Sequence, residues 1–322
     1  MTKIDLITGI LGSGKTTFIL GYARYLLSKG KRIAILENDF GAVNADMLML
    51  QPLKSENCQL EMVSGGCDPD CHRRRFKTQL IALGMQHFDR VIVEPSGIFD
   101  MDEFFDILHE SPLDKWFEVG SVLTIADAGT PDDLTPQMEY LFASEAACCG
   151  KLIVSKLGSE QPEKVTERLL EHLERSFSAI KCDRTLRPQD VLAKGFSELT
   201  DADYEMLANS GYRGSRYVKL YSDEDIQSSV HYFMNLCIEE ELIEAVIKDI
   251  FSDSSCGRVY RIKGALPGGE EWLTINADRN GIKTGRLPDG QSVLIVIGDN
   301  INREAIDDRL KAVNTDKKYM SI

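Results

Sequence analysis

The sequence has no apolar run long enough to span a bilayer, and it has neither internal repeats nor a low-complexity tract. It begins Met1-Thr2-Lys3 and enters a short strand that carries Asp5, without the apolar core and small-residue cleavage site of a secretory signal. We therefore expect a cytoplasmic protein with no membrane partner. Its 8 cysteines lack the regular spacing of a disulfide framework, so in that compartment they should be thiols.

Positive charge is also scarce. The 322 residues include 37 Lys and Arg against 51 Asp and Glu, a formal net charge of -14. Because binding to nucleic-acid phosphates needs Lys and Arg gathered on one face, this balance argues against a nucleic-acid partner. The one basic cluster, Arg73-Arg74-Arg75, is too short to reverse it, and we expect it on an exposed helix face.

What the sequence does contain is a phosphate-binding pattern near its start. Gly9-Ile10-Leu11-Gly12-Ser13-Gly14-Lys15-Thr16 fits G-x-x-x-x-G-K-[ST] and lies between the apolar run Ile4–Ile7 and a helical segment. The glycines let backbone N–H groups turn toward phosphates, Lys15 reaches the outer phosphates, and Thr16 offers a hydroxyl to Mg²⁺. We expect a nucleoside triphosphate to contact Gly9, Gly12, Ser13, Gly14, Lys15, Thr16 and Thr17.

The first half of the chain alternates short β-branched runs with longer helical patterns. This order predicts an α/β fold with a mostly parallel sheet, that of a P-loop nucleotide-binding domain, with its functional loops after the carboxyl ends of strands. The predicted strands are Lys3–Thr8, Arg32–Glu37, Gln59–Val63, Arg90–Glu94, Ser121–Ala126 and Lys151–Ser155. The predicted helices are Lys15–Ser28, Cys71–Met85, Met101–His109, Pro136–Ala147 and Pro162–Phe177.

The sequence predicts that the second half of the chain is a smaller α+β domain. Turn-rich sequence between residues 180 and 214 indicates the boundary, so we expect a first domain over 1–195, a linker over 196–214 and a second domain over 215–322. A β-α-β-β-β-α order there predicts an antiparallel sheet with helices on one face. Its predicted elements are strand Arg216–Tyr221, helix Asp225–Phe251, strands Arg258–Ala265, Trp272–Ala277 and Val293–Ile297, and helix Arg303–Val313.

Two carboxylates at strand ends complete the predicted nucleotide site. Glu94 ends an apolar strand and can hold a Mg²⁺-bound water, while the N–H of Gly97 can meet a γ-phosphate oxygen. Asp39 also ends a strand, where it can position or deprotonate the attacking water, although a capped turn is the alternative. We predict Lys15, Asp39 and Glu94 as catalytic residues, and Thr16, Asp39 and Glu94 as ligands of Mg²⁺.

A second candidate site is the segment Gly66-Cys67-Asp68-Pro69-Asp70-Cys71-His72. Two thiols and an imidazole so close together are good ligands for Zn²⁺ or another transition metal, and Asp-Pro-Asp turns the sulfurs toward each other. The alternative is a turn with two incidental cysteines, in which Asp70 caps the following helix. We predict Cys67, Cys71 and His72 as the metal ligands.

These motifs resemble those of the CobW-type GTPases, relatives of the nickel-insertion GTPases of urease and hydrogenase maturation. The resemblance rests on Gly9–Thr17, Asn38–Gly41 followed by Asp46, the thiol cluster from Gly65, Glu94–Gly97, Arg258–Gly264, Trp272 and Val296–Gly298. It implies a CobW-type C-terminal domain, GTP binding and slow Mg²⁺-dependent hydrolysis with low intrinsic turnover. It also implies a switch that delivers a metal or metallocofactor to a client metalloprotein.

The chain departs from that family at the motif that recognises the base. The family has N-K-x-D, whereas this chain has Ser155-Lys156-Leu157-Gly158, in which Gly158 supplies no carboxylate for guanine. A lost charge-assisted contact removes on the order of 1.5–3 kcal/mol. We expect Ser155 and Lys156 to contact the nucleotide and favour GTP, with ATP or relaxed specificity left open. A non-enzymatic, nucleotide-gated client-binding module and a small-molecule phosphotransferase are the alternatives to a hydrolase.

Overall fold

The chain forms two compact units, Met1–Asp223 and Glu224–Ile322. The computed structural model describes residues 1–10, 12–39, 45–64, 69–95, 101–221, 230–269, 271–278, 281–288 and 290–321. Within these ranges, no helix combines the length and the apolar character needed to cross a membrane.

A parallel sheet forms the centre of the first unit. Its strands are β1 (Thr2–Thr8), β2 (Ile33–Asp39), β3 (Cys58–Ser64), β4 (Arg90–Pro95), β5 (Phe117–Asp127), β6 (Lys151–Ser155) and β7 (Val191–Ala193). They are ordered β3-β2-β4-β1-β5-β6-β7, and neighbouring strands are parallel. The predicted α/β fold is therefore confirmed.

Helices cover the faces of this sheet. They are α1 (Lys15–Ser28), α2 (Ala45–Leu50), α3 (Pro69–Gly84), α4 (Met101–His109), α5 (Leu113–Trp116), α6 (Pro136–Ala147), α7 (Pro162–Ala179) and α8 (Asp201–Ala208). Strand residues such as Ile7, Ile92 and Ile125 pack against Phe18 and Tyr22 of α1 in one apolar core. Continuous apolar runs suit such strands, because helices on both sides leave neither face to solvent.

Residues 196–214, predicted as a linker, belong to the first unit instead. They contain α8, whose Tyr204 ring centroid lies 5.5 Å from that of Tyr25 and 6.2 Å from that of Phe18, both on α1. Leu207 is buried in the same core. Because α8 covers the aromatic face of α1, the division between the units falls later, after Asp223.

The second unit contains an antiparallel sheet. Its strands are β8 (Val230–Met234), β9 (Arg258–Gly268), β10 (Glu271–Asp278), β11 (Gly281–Leu287), β12 (Val293–Asp299) and β13 (Met320–Ser321), in the order β11-β10-β9-β12-β8-β13. Helices α9 (Glu240–Ser252) and α10 (Arg303–Val313) pack with Ile247 and Leu310 into one core on the sheet. The predicted antiparallel sheet with helices on one face is confirmed, and β8, β11 and β13 are strands that were not predicted.

Two predictions for this region are wrong. Arg216–Tyr221 is not a strand of either sheet; it runs beside α7's end, where the Val218 N–H donates to the Ile180 carbonyl at 2.8 Å. The helix predicted over Asp225–Phe251 begins only at Glu240, because Val230–Met234 pairs with β12 as a strand. The first part of that predicted helix, residues 225–229, lies outside the described residues.

Candidate nucleotide-binding site

The carboxyl ends of the parallel strands bring the predicted site residues to one edge of the sheet. β1 leads into the loop at Gly9, β2 ends at Asp39, β4 carries Glu94 near its end, and β6 is followed by Lys156. β1 lies between β4 and β5, and such a reversal of strand order opens a crevice where α/β sheets bind ligands. The side chain of Asp39 and all of Gly97 lie outside the described residues.

The loop from Gly9 to Gly14 has a backbone that favours glycine. Gly9 has φ 135° and Gly14 has φ 103°, backbone angles that residues other than glycine rarely adopt. A Cβ on Gly9 would lie 2.3 Å from the carbonyl oxygen of Ile125 in β5. Gly12 and Ser13 complete the described part of the loop, and α1 begins at Lys15-Thr16-Thr17.

Positive charge gathers where this loop enters α1. The Lys15 Nζ donates to the Gly9 carbonyl at 2.8 Å, so the side chain folds back over the loop. The first turn of α1 contains no acidic residue, and its backbone N–H groups add partial positive charge at the same point. A helix N-terminus with a nearby lysine is a ready site for phosphate.

Thr16 and Glu94 form the part of the site that suits Mg²⁺. The Thr16 hydroxyl donates to Oε1 of Glu94 at 2.9 Å, and Glu94 is only 5% exposed. Hydroxyl and carboxylate oxygens are the ligands that Mg²⁺ takes in nucleotide sites. The residues present therefore fit the ion that the motif implies.

On the side expected for the base, Ser155 and Lys156 are already engaged within the protein. The Ser155 hydroxyl donates to the Ser13 carbonyl at 2.5 Å, and thus connects β6 to the phosphate-binding loop. The Lys156 ammonium pairs with Asp127 at 2.6 Å. Glu160, the acidic residue two positions after Gly158, pairs with Arg168 at 3.3 Å.

Cys71 and His72 lie in the first turn of α3, but they have different surroundings. His72 is 2% exposed, whereas Cys71 lines a cleft of about 480 Å³ together with Arg74 and Arg75. Consecutive residues of a helix do not face each other. Cys67 lies outside the described residues, and within those residues no three His, Cys, Asp or Glu side chains are grouped to hold a metal ion.

Sequence reasoning assigned no role of their own to Asn38 and Glu145, two buried polar side chains near this edge. Neither amide atom of Asn38, nor either carboxyl oxygen of Glu145, has a hydrogen-bond partner among the described residues. Burial raises the pKa of Glu145 to about 8, against the opposing effects of the Lys15 charge and the Gly9 N–H. A signal existed for Glu145, since it is the one charge in the stretch Leu141–Cys149.

A glycine loop at the carboxyl edge of a parallel sheet, with a lysine folded over it, defines the class of P-loop nucleotide-binding proteins. Residues 3–184 match the family model described as CobW/HypB/UreG, nucleotide-binding domain. The chain belongs to this family, and the resemblance seen in its motifs is confirmed.

Two proteins of Escherichia coli (strain K12) are similar in sequence. Zinc chaperone YeiR is 25% identical over 242 residues, 67% of this chain and 73% of that protein. Zinc chaperone YjiA is 28% identical over 179 residues, 52% of this chain and 53% of that protein.

Solved structures are similar at lower identity. The Zn(II)-bound YjiA GTPase from E. coli aligns over 98% of this chain and 99% of its own, with 16% identity and a TM-score of 0.36. The hydrogenase maturation factor HypB from Archaeoglobus fulgidus aligns over 63% and 85%, with 14% identity and a TM-score of 0.38.

Proposed function

We propose that this protein is a Mg²⁺-dependent P-loop nucleoside triphosphatase, with GTP the favoured substrate, that acts as a switch for delivery of a metal or metallocofactor to a client metalloprotein. The observation that carries the proposal is the contact between Thr16 and Glu94 beside the loop on which Lys15 lies. The closeness of cationic, hydroxyl and carboxylate groups supports binding of a triphosphate and its cation here.

In this proposal the chain's own groups bind and orient the substrate. The loop N–H groups and Lys15 would hold the phosphates, and Thr16, Asp39 and Glu94 would hold Mg²⁺, which would supply charge that neutralises the phosphates. Asp39 and Glu94 orient the attacking water. Catalysis of this kind is positioning and charge stabilisation, and the sequence offers no evident arginine finger, so we expect low intrinsic turnover.

The metal-delivery part of the proposal is supported by the relatives, both of which are named zinc chaperones. Cys67 and Cys71 are the proposed thiol ligands in this chain. His72 is the weaker member of the predicted set, because its side chain is buried while Cys71 opens onto a cleft. We expect chelator competition to show weaker Zn²⁺ binding when both cysteines become Ser, with Cys237→Ser as the control. Unchanged affinity would discard this site.

Multiple-turnover phosphate release with Mg²⁺ and GTP tests the enzymatic part. We expect release from the wild type, increased by Zn²⁺, and a loss of about 10²–10³-fold in Lys15→Ala, because the site loses a charge that stabilises the transferring phosphate. Lys54→Ala, an exposed lysine away from the loop, is the control. Nucleotide binding without release would favour the client-binding module instead.

Competition of GTP, ATP and xanthosine triphosphate for a fluorescent nucleotide tests the base preference. We favour GTP because of the family to which the chain belongs, although Gly158 replaces the acid of the family motif. Tighter binding of GTP is the expected result. Equal affinity for the three nucleotides would overturn the preference for guanine.

A further inference from the structure

Glu145 lies beneath the phosphate-binding loop, in surroundings where a carboxyl group is unusual. It belongs to α6, is 1% exposed and follows an apolar helix segment that includes Leu141 and Phe142. Neither of its carboxyl oxygens makes a well-formed hydrogen bond with a group of the described residues, although the Gly9 N–H is close enough to favour the ionised form. Burying an ionised carboxylate without such a partner is costly, so a group of this kind tends to hold a proton.

The backbone of Glu145 is bound to the two strands beside the loop. Its carbonyl accepts from the Thr124 hydroxyl at 2.8 Å and from the Thr8 hydroxyl at 3.5 Å. These two hydroxyls also contact each other at 2.7 Å. Thr8 is the last residue of β1 and directly precedes Gly9, so the position of Glu145 is tied to the start of the loop.

Two groups of the loop region act on the carboxyl itself. The charge of Lys15, whose Nζ donates to the Gly9 carbonyl, and the Gly9 N–H both favour the ionised form. Both lower its pKa, but burial has the larger effect and raises the pKa to about 8. β1 and β5 contact its carbonyl through the hydroxyls of Thr8 and Thr124. On α7, which packs against α6, His172 bonds to Glu139.

We propose that Glu145 is a positioning residue for the phosphate-binding loop, and that a triphosphate binds tightly only when its carboxyl carries a proton. The proposal rests on nucleotide binding at this loop. An ionised Glu145 places a negative charge beside Lys15, where it attracts the ammonium that the phosphates need and repels the phosphates themselves. Binding at alkaline pH is then coupled to uptake of one proton from the solvent, which converts the carboxylate to the acid.

The dissociation constant of a fluorescent GTP analogue, measured with saturating Mg²⁺ from pH 7 to pH 9.5, tests this coupling. We expect the wild-type affinity to fall by up to about tenfold per pH unit above pH ~8. The affinity of Glu145→Gln should stay at its pH 7 value over the whole range. Glu139→Gln is the matched control, because Glu139 lies on the same helix but bonds to His172 and Ser176. It should follow the wild type. The ionisation of the nucleotide affects all three proteins equally.

Calorimetry of the wild type in buffers with different heats of ionisation supplies a second measurement, which needs no variant. At pH 8.5 we expect net proton uptake on binding, and a purely structural role of Glu145 would produce none. Identical pH profiles for the wild type and Glu145→Gln, or no proton uptake, would overturn the inference and leave the proposed function intact. A wild type that binds nucleotide at no pH would overturn the proposed function instead.

Discussion

At the scale of single residues, Gly9 is under the tightest steric constraint in the site. Its φ is 135°, and an added Cβ would lie 2.3 Å from the backbone carbonyl oxygen of Ile125, which cannot rotate away. We expect Gly9→Ala to lower the free energy of unfolding by about 1–3 kcal/mol and to weaken nucleotide binding, because the loop must move. Urea unfolding and nucleotide titration measure the two effects.

Gly30→Ala is the control for this prediction. Gly30 also has a positive φ, 72°, but nothing lies within 4 Å of the position that its Cβ would take. The Gly30→Ala variant should have a free energy of unfolding lower by roughly 1 kcal/mol, because of backbone strain, and should bind nucleotide as the wild type does. If both variants lost the same stability and bound equally well, the contact with Ile125 would have no cost of its own.

The residues of the site differ in how far the sequence could predict them. Lys15 and Thr16 lie in a contiguous pattern whose chemistry requires those residue types, and Glu94 follows from its place at a strand end. The place of Glu145 in the site depends on how α6 packs beneath the loop. Thr8, whose hydroxyl contacts the Glu145 carbonyl, is 137 residues away in the chain. A contact of that separation leaves no periodic signal in the sequence.

At the scale of elements, parallel strands were easier to predict than the antiparallel ones. A run such as Val91-Ile92-Val93 is apolar throughout because both its faces are covered. The strand Val230–Met234 was predicted as helix, since a short apolar run has no decisive periodicity and its state depends on the partner Val293–Asp299. Strand Gly281–Leu287 contains two glycines and no apolar run, so the sequence does not predict it, and its state depends on pairing with Glu271–Asp278.

Helix α8 begins with a pair of reciprocal capping contacts. The Thr200 hydroxyl accepts from the Asp203 N–H at 3.3 Å, and the Asp203 carboxylate accepts from the Thr200 N–H at 2.7 Å. Hydrogen bonds from Lys194 and Thr200 lower the pKa of Asp203 to about 2. Because this pKa lies below the ordinary value of 3.8, the carboxylate stabilises the fold above about pH 4, and the contribution is lost as the pH falls toward 2.

We therefore expect Asp203→Asn to lower the free energy of unfolding by about 1 kcal/mol at pH 7, the usual value of a helix cap. The difference from the wild type should shrink as unfolding is measured at successively lower pH between 5 and 3. Asp201→Asn is the control in the same turn, since its exposed ion pair with Lys29 contributes about 0.5 kcal/mol or less. A cost for Asp203→Asn that did not depend on pH would contradict this account.

At the scale of the whole molecule, the boundary between the two compact units lies after Asp223, further along the chain than the turn-rich sequence indicates. Glycine, proline and polar residues between 180 and 214 are typical of a linker, but they do not show what the short helix among them packs against. Tyr204 and Leu207 of that helix are part of the core around α1, and Arg90 of β4 donates to the Ala208 carbonyl at 3.1 Å. These contacts join residues far apart in the chain.

This packing predicts how two fragments will behave. A fragment of residues 1–223 should fold and bind nucleotide with nearly the affinity of the full chain, because the described residues of the site all lie within it. A fragment of residues 1–195 lacks Tyr204 and Leu207, whose burial is worth about 1.5–3 kcal/mol each. Their sum, about 3–6 kcal/mol, compares with the 5–15 kcal/mol that is typical of a whole domain, so roughly a fifth or more of the stability would be lost.

Thermal unfolding and titration with a fluorescent nucleotide compare the two fragments directly. We expect a cooperative transition and binding from the longer fragment, and a broad transition, exposed apolar surface and weak binding from the shorter one. Tyr204→Ala in the longer fragment separates packing from chain length, since it removes one aromatic contact with α1 and should lower the transition temperature without changing the boundary. If residues 1–195 unfolded as cooperatively as residues 1–223, α8 would be a linker after all, and the aromatic contacts with α1 would contribute little to the fold.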